Sequence, residues 1–229
     1  MEFSEINQLL SRDSLPLEMG IRRLPSGVLH VASRSDLPGC NGHMVDWWFG
    51  FLGTLEHYKW WHPQDHKGLQ WDSKWSRGSY IGATCVVDES LAGSADVYRL
   101  HIKFHAPEDI FPAAELKRAH AEGKASAFVC ATIGFGDTPQ MDAKGNMIGG
   151  RFIHAAYDTP SGCFLRNRFW LGAGIEAPPK VIEENTPNQL GINLMTHANM
   201  EYTNLSNRRQ SSTREFRGVL FCRWCDDEQ

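Results

Sequence analysis

The chain has 229 residues, of which 41% are hydrophobic and 22% are charged. This balance is ordinary for one globular domain with extensions, and it excludes wholesale disorder. The net charge of −4, from 27 acidic and 23 basic side chains, argues against a general nucleic-acid binder, which needs a basic face.

The hydropathy and the N-terminal sequence predict a protein of the cytoplasm. No apolar run approaches the roughly 18 residues of a membrane-spanning helix, and the acidic start predicts no secretory signal. The six cysteines are therefore expected to be reduced thiols. Cys222 and Cys225 form a lone CxxC, and a structural zinc site would need two further ligands at matching spacing.

The predicted elements begin with a lead-in of short segments over residues 1–40. It includes a hairpin that turns at Pro25–Gly27. An aromatic-rich region follows, and its apolar spacing predicts a helix over residues 44–56.

Strand patterns dominate the middle of the chain. Residues 97–104 alternate between apolar and polar side chains and predict a half-buried strand. A surface helix is expected over residues 113–122. Further strands are predicted over 80–87, 127–133, 152–157 and 163–171.

A last helix is predicted to follow Thr186 and to run to about Ser206. The segment from Thr186 to Gln189 fits a capping box, with Pro187 at the first helical position. Many strands with helices set apart in the sequence predict an α+β fold, since βα units do not alternate.

The C-terminal helix carries the first candidate site. His197 and Glu201 are four residues apart, so both side chains leave one face and can share a metal ion. A solvated helix pair is the alternative, because this spacing is common. Leu194 and Met195 favour a buried helix, in which the carboxylate of Glu201 needs a partner.

The segment YKWWHPQDH, residues 58–66, is the second candidate. His57, His62 and His66 fall within ten residues of an aromatic stretch. One or two of them are candidate metal ligands, with Asp65 available to orient one. The alternative is an aromatic core with hydrogen-bonded histidines.

Two single residues complete the candidates. Glu89 ends an apolar strand, where it either closes the strand or points inward as an oxygen ligand. His154 lies between Phe152 and Ala156 on one strand face, and a satisfied core histidine is the alternative there. Two histidines and two carboxylates from separate segments would form a set that suits zinc, with Mn²⁺ or Fe²⁺ left open.

Six segments, in order between about Leu37 and Leu205, resemble the diacetylphloroglucinol hydrolase family, which includes phloretin hydrolase. They read LPGCNGHMVDWWFGF, YKWWHPQDH, YIGATCVVDESLAG, RLHIKFHAPEDIF, RNRFWLG and MTHANMEYTNL. The WHPxDH and HxxxE segments are the specific ones.

The resemblance implies a helix-grip fold of the birch-pollen-allergen type, in which an antiparallel sheet wraps around a long C-terminal helix and encloses a cavity. The catalytic domain would then span residues 41–229. The implied activity is zinc-dependent hydrolysis of the carbon–carbon bond between an acyl group and a polyhydroxylated aromatic ring, with zinc activating the attacking water. A polyketide cyclase or a carrier of hydrophobic ligands on the same fold stays open.

The family's site residues are carried over by position. Its zinc ligands fall on His66, Glu89, His197 and Glu201. Its proton-transfer histidine falls on His154. Tyr58 matches a family tyrosine and is expected to hydrogen-bond a ring hydroxyl or the ketone, within a cavity wall formed by the aromatic residues of segment 47–61.

The expected partner is a small aromatic ketone or polyketide, with no nucleic acid and no membrane. Relatives dimerise with the help of a longer N-terminal region, so a homodimer stays open. The tail after the helix has no family counterpart, and a solvated basic turn followed by an edge strand is expected there. Its basic residues are Arg208, Arg209, Arg214 and Arg217.

Overall fold

The computed structural model describes residues 1–210. The predicted tail features at Arg214, Arg217 and the Cys222/Cys225 pair lie outside that range. Cys85 and Cys130 are buried free thiols, as expected. Over the described part of the chain, no helix combines the length and the apolar character that a membrane span requires.

Strands and helices follow one another along residues 1–210. The strands are β1 (Gly20–Arg23), β2 (Leu29–Pro38), β3 (His66–Trp71), β4 (Thr84–Glu89), β5 (Tyr98–His105), β6 (Ala127–Phe135), β7 (Gly150–Thr159) and β8 (Gly162–Leu171). The α-helices are α1 (Gly42–Phe51), α2 (Leu55–Trp61), α3 (Ala113–Ala121), α4 (Pro179–Asn185) and α5 (Asn188–Gln210). Short 3-10 helices span Phe3–Leu10 and Pro107–Asp109.

The strands form one antiparallel sheet in the order β1-β2-β8-β7-β6-β5-β4-β3. The predicted hairpin at the start is confirmed as β1 paired with β2. β2 in turn pairs with β8 over its whole length. The segment 1–40, expected to be a lead-in, therefore contributes two strands to the sheet.

Helix α5 packs on one face of the sheet, which we call the inner face. Gly191 allows a close approach there, because a Cβ at this position would lie 2.7 Å from Cδ2 of Leu29 on β2. Further along, Asn204 Nδ2 donates to the carbonyl of Trp61 at 3.2 Å and ties the helix to α2. An antiparallel sheet around a long C-terminal helix is the helix-grip architecture, so the predicted α+β fold is confirmed.

Side chains that alternate along the strands contribute to two hydrophobic cores, one on each face of the sheet. On β7, Phe152 and Ala156 belong to the core beneath α5. Ile153 and Tyr157 belong to a second core on the outer face, together with residues of the N-terminal 3-10 helix and α3. Residue 154 therefore faces inward, beside the cavity described below.

Some predicted boundaries are wrong. The single helix expected over residues 44–56 is two helices, because the chain turns at Gly53 and Thr54 caps α2 by accepting from the amide of His57 at 3.2 Å. The strand expected from residue 80 begins only at Thr84. Strand β3 and helix α4 were not predicted.

The predicted capping box before α5 is also absent among the described contacts. The hydroxyl of Thr186 donates to the carbonyl of Ile182 at 2.7 Å and accepts from Arg23 Nη1 at 2.8 Å. The side chain of Gln189 donates to Asn193 at 2.8 Å. Arg23 on β1 also donates to Asn188 Oδ1 at 2.9 Å, so this side chain ties the start of α5 to β1.

Candidate functional site

A cavity that opens to solvent lies between the inner face and α5. Most of its wall is apolar and comes from β4 to β8 and from α1. Polar side chains in the wall gather where α2, β4, β7 and α5 meet. They are Tyr58, Glu89, His154, His197 and Glu201.

Three of the predicted ligands meet closely. His66 Nε2 lies 3.1 Å from Glu201 Oε1, and His197 Nε2 lies 3.6 Å from the same oxygen. All three side chains are buried, and their ligand atoms lie within 4.8 Å of one another. We call these three residues the His66 cluster.

The residues of this cluster fit a divalent metal. His66 Nδ1 donates to the carbonyl of Tyr58 at 2.7 Å, which turns Nε2 toward Glu201. That Nε2 is buried and, although it lies 3.1 Å from Glu201 Oε1, it forms no hydrogen bond of acceptable geometry within residues 1–210, whereas buried polar atoms are nearly always satisfied. A cation would satisfy it, and imidazole nitrogens with carboxylate oxygens are ligands that zinc prefers.

Glu89 lies beside the cluster but less closely. Its Oε2 is 3.9 Å from His66 Nε2 and accepts a hydrogen bond from the hydroxyl of Tyr58. Burial and the negative charges of Glu89 and Glu201 raise the pKa of Tyr58 well above its ordinary value. Tyr58 therefore keeps its proton and shares it with Glu89.

The charges of the cluster are strongly coupled. Burial lowers the pKa of His197, but the charge of Glu201 and the hydrogen bond to Asp65 outweigh it and raise that pKa to about 10. Burial raises the pKa of Glu201, yet His197 and His66 bring it down to about 2. The pair is thus an imidazolium and a carboxylate, and a cation has to displace the proton of His197 to bind there.

A second group of ligand-type side chains adjoins the first. His62, Asp65 and His197 also bring their ligand atoms within 4.8 Å of one another. Asp65 Oδ2 accepts from His197 Nδ1 at 3.0 Å, so the histidine that it contacts lies on α5, whereas Asp65 was expected to orient one of the histidines of its own segment. His57 lies apart, with its ring stacked on Phe51 at 4.3 Å between centroids.

His154 stands on β7 and lines the same cavity, with its ring 5.6 Å from that of Tyr202 on α5. Its Nδ1 donates to Asn167 Oδ1 on β8 at 2.8 Å, so Nε2 is left as a proton acceptor. Burial lowers its pKa to about 4, and the imidazole is therefore neutral at neutral pH. The rings of Phe49, Phe152 and Phe169 surround it, with centroids 4.4 to 6.2 Å away.

The site contains residues that the sequence did not reveal. Asn167 lies in a predicted strand, but its pairing with His154 depends on the register between β7 and β8. Leu190 and Leu194 line the cavity from α5. Their spacing of four residues predicts that they share one face of α5 with His197, but the sequence alone does not show that this face lines a cavity.

The fold and this site define a helix-grip protein whose apolar cavity adjoins a buried cluster of side chains of the types that bind metals. Residues 1–207 match the family model described as the DAPG hydrolase PhiG domain, and the chain belongs to this family. The resemblance found in the sequence is confirmed.

Two curated relatives illustrate the similarity. A 2,4-diacetylphloroglucinol hydrolase of a Pseudomonas species is 25% identical in an alignment of length 245. The alignment covers 93% of this chain and 76% of the relative. The phloretin hydrolase of Eubacterium ramulus is 24% identical over 226 residues, which cover 89% of this chain and 74% of the relative.

Solved structures are more distant. Protein Ms6760 of Mycobacterium smegmatis superposes with a TM-score of 0.47 at 8% identity, covering 85% of this chain and 99% of its own. Ara h 8.0201 gives 0.45 at 11% identity, covering 84% and 100%. Similarity at this level supports no functional argument.

Proposed function

We propose that this protein is a metal-dependent hydrolase that cleaves the carbon–carbon bond between an acyl group and a polyhydroxylated aromatic ring. The observation that carries the proposal is the meeting of His66, His197 and Glu201 beside an apolar cavity, in a chain of the DAPG hydrolase family. The names of its relatives favour acylated phloroglucinols as substrates.

Zinc is the metal we propose, with Mn²⁺ and Fe²⁺ as alternatives that imidazole and carboxylate ligands also bind. The ligands would be His66, Glu89, His197 and Glu201. They would hold an ion that supplies a Lewis acid for the ketone and lowers the pKa of water.

The reaction consumes one water for each bond cleaved. The hydroxyl of that water joins the acyl carbon and yields a carboxylic acid, while the proton joins the ring carbon. The electron pair of the broken bond passes to the ring, where the hydroxyl groups delocalise it. A polyhydroxylated ring is therefore the leaving group that this chemistry requires.

His154 would carry the proton. Its neutral Nε2 accepts a proton from the water, and Asn167 keeps the other nitrogen protonated. Because burial lowers its pKa to about 4, the imidazolium that forms would give up its proton readily, and the ring carbon would receive it. Neutral His154 would thus take the proton from the water, and protonated His154 would deliver it to the ring carbon in the same turnover.

The cavity wall suggests how the substrate lies. The three phenylalanine rings around His154 suit the aromatic ring, which needs a proton from that histidine. The oxygen of Tyr58 would accept from a ring hydroxyl while its own proton stays in the hydrogen bond to Glu89. The acyl chain would then run along the aliphatic wall that includes Leu190 and Leu194.

The test combines metal content with product analysis. The purified chain and its His197→Ala variant are analysed for metal and are offered acylphloroglucinols. We expect about one zinc per chain and release of a carboxylic acid from the wild type, and loss of both in the variant. Wild-type protein that holds no metal after zinc reconstitution, or that holds zinc and releases no acid, would overturn the proposal.

A further inference from the structure

The carboxylate of Asp65 sits behind the His66 cluster rather than in the cavity wall. It is 1% exposed, and its Oδ1 accepts from Ser90 Oγ at 2.9 Å and from the amide of Gly93 at 3.2 Å. Its Oδ2 accepts from His197 Nδ1 at 3.0 Å. Three donors, two from residues 90–93 and one from α5, therefore fix the position of one buried carboxylate.

His62 supports the same arrangement from the other side. Its Nδ1 accepts from the amide of Asp65 at 3.1 Å, so its proton is on Nε2, which points at Asp65 Oδ2 from 3.4 Å. Its ring lies parallel to that of His197, with centroids 4.7 Å apart and planes 10° apart. His197 is thus held by a hydrogen bond at one edge and by a stacked ring on one face.

We propose that Asp65 is a positioning residue that keeps a proton on His197 Nδ1 and holds the Nε2 edge toward His66 and Glu201, so that Nε2 is the nitrogen whose lone pair a metal would take. The inference rests on the proposed function, in which His197 is a metal ligand. A carboxylate behind a ligating imidazole fixes the ring and raises its basicity, and loss of such a partner weakens metal binding by about 10 to 100-fold.

A second metal ion between His62, Asp65 and His197 is the competing interpretation. The contacts favour positioning, because both oxygens of Asp65 and Nδ1 of His197 already form hydrogen bonds, and His62 Nε2 is the one nitrogen of this group without a hydrogen-bond partner among the described residues. His62 Nδ1 accepts from a backbone amide, and both oxygens of Asp65 accept hydrogen bonds. A second ion would also have to remove the Nδ1 proton of His197.

The experiment measures zinc affinity rather than activity. Wild-type chain and Asp65→Asn are titrated with zinc in competition with a chelating dye, at a temperature where circular dichroism shows both to be folded. Asparagine keeps the shape of Asp65 and removes its charge. We expect the dissociation constant to rise about 10 to 100-fold and the visible spectrum of the Co²⁺-loaded protein to shift.

The matched control is Asp46→Asn, which removes a carboxylate that accepts from Tyr80 outside the cluster. This variant is expected to bind zinc as the wild type does. Equal affinity in wild type and Asp65→Asn would overturn the positioning role alone, and so would two zinc ions per wild-type chain. A wild-type chain that binds no zinc would overturn the proposed function and this inference together.

Discussion

The imidazole of His66 lies parallel to the phenol ring of Tyr58, with centroids 3.4 Å apart and planes 7° apart. Tyr58 also accepts from His66 Nδ1 through its carbonyl and donates to Glu89 through its hydroxyl. His66 and Glu89 face each other in the register of β3 and β4. One residue of α2 therefore orients two candidate ligands on neighbouring strands.

We predict that Tyr58→Phe weakens zinc binding by roughly 10-fold, because it removes the donor to Glu89 and keeps the ring on His66. The measurement is a competition titration with a chelating dye. Tyr80→Phe, which removes a hydroxyl that donates to Asp46, serves as the control and should not change the affinity. Unchanged binding in Tyr58→Phe would show that Glu89 needs no such support.

His154→Gln is expected to keep its zinc and to lose turnover by about 10² to 10⁴-fold, since proton transfer contributes on that scale. Metal analysis and the initial rate of acid release are measured on the same sample. His57→Gln is the control, because His57 lies outside the cluster and should leave both quantities unchanged. Normal turnover in His154→Gln would remove this residue from the mechanism.

A substitution in the aliphatic wall tests the placement of the acyl chain. Leu194 lines the cavity and is only partly buried, so Leu194→Trp fills space there without breaking the core. We predict a KM raised about 10-fold for ketones with long acyl chains and little change for acetyl ketones, as one or two displaced methylenes cost on this scale. KM values over a series of chain lengths decide this, and an equal effect on all lengths would contradict the placement.

Local patterns were enough for much of the fold. Alternation gave β5 its two faces, and the phase of Phe152, His154 and Ala156 correctly placed His154 toward the interior. The i, i+4 spacing of His197 and Glu201 likewise put both on the cavity side of α5. Such periodicities depend only on the geometry of one element.

Contacts between residues far apart in the sequence could not be predicted from local patterns. Asp65 and His197 are 132 residues apart, and no local pattern in either segment predicts the hydrogen bond between them. Strand β3 was missed because Lys67 and Gly68 interrupt its alternation, and its register with β4 shifts there. The roles of these residues follow from tertiary contacts, which one sequence does not display.

The outer face of the sheet holds two almost fully buried arginines whose charge needs explanation. Arg166 Nε and Nη2 donate to Glu18 at 3.0 and 2.7 Å, and Arg168 Nη2 donates to Glu18 at 3.2 Å. Arg166 also donates to the carbonyls of Ser11 and Asp13. Together these bonds fasten the segment before β1 to β8.

Glu18→Gln should therefore destabilise the fold by about 2 kcal/mol at pH 7, because two buried guanidiniums lose their counter-charge. Burial raises the pKa of Glu18, but the arginines outweigh it and lower that pKa below 4.5. The ionised carboxylate thus contributes fully above pH 4.5, and its contribution fades as the pH falls through the folded-state pKa. Urea unfolding of both proteins at several pH values should show the difference shrinking toward low pH. The exposed Glu122→Gln control should show no change, and a difference in Glu18→Gln that grew on acidification would contradict the assignment.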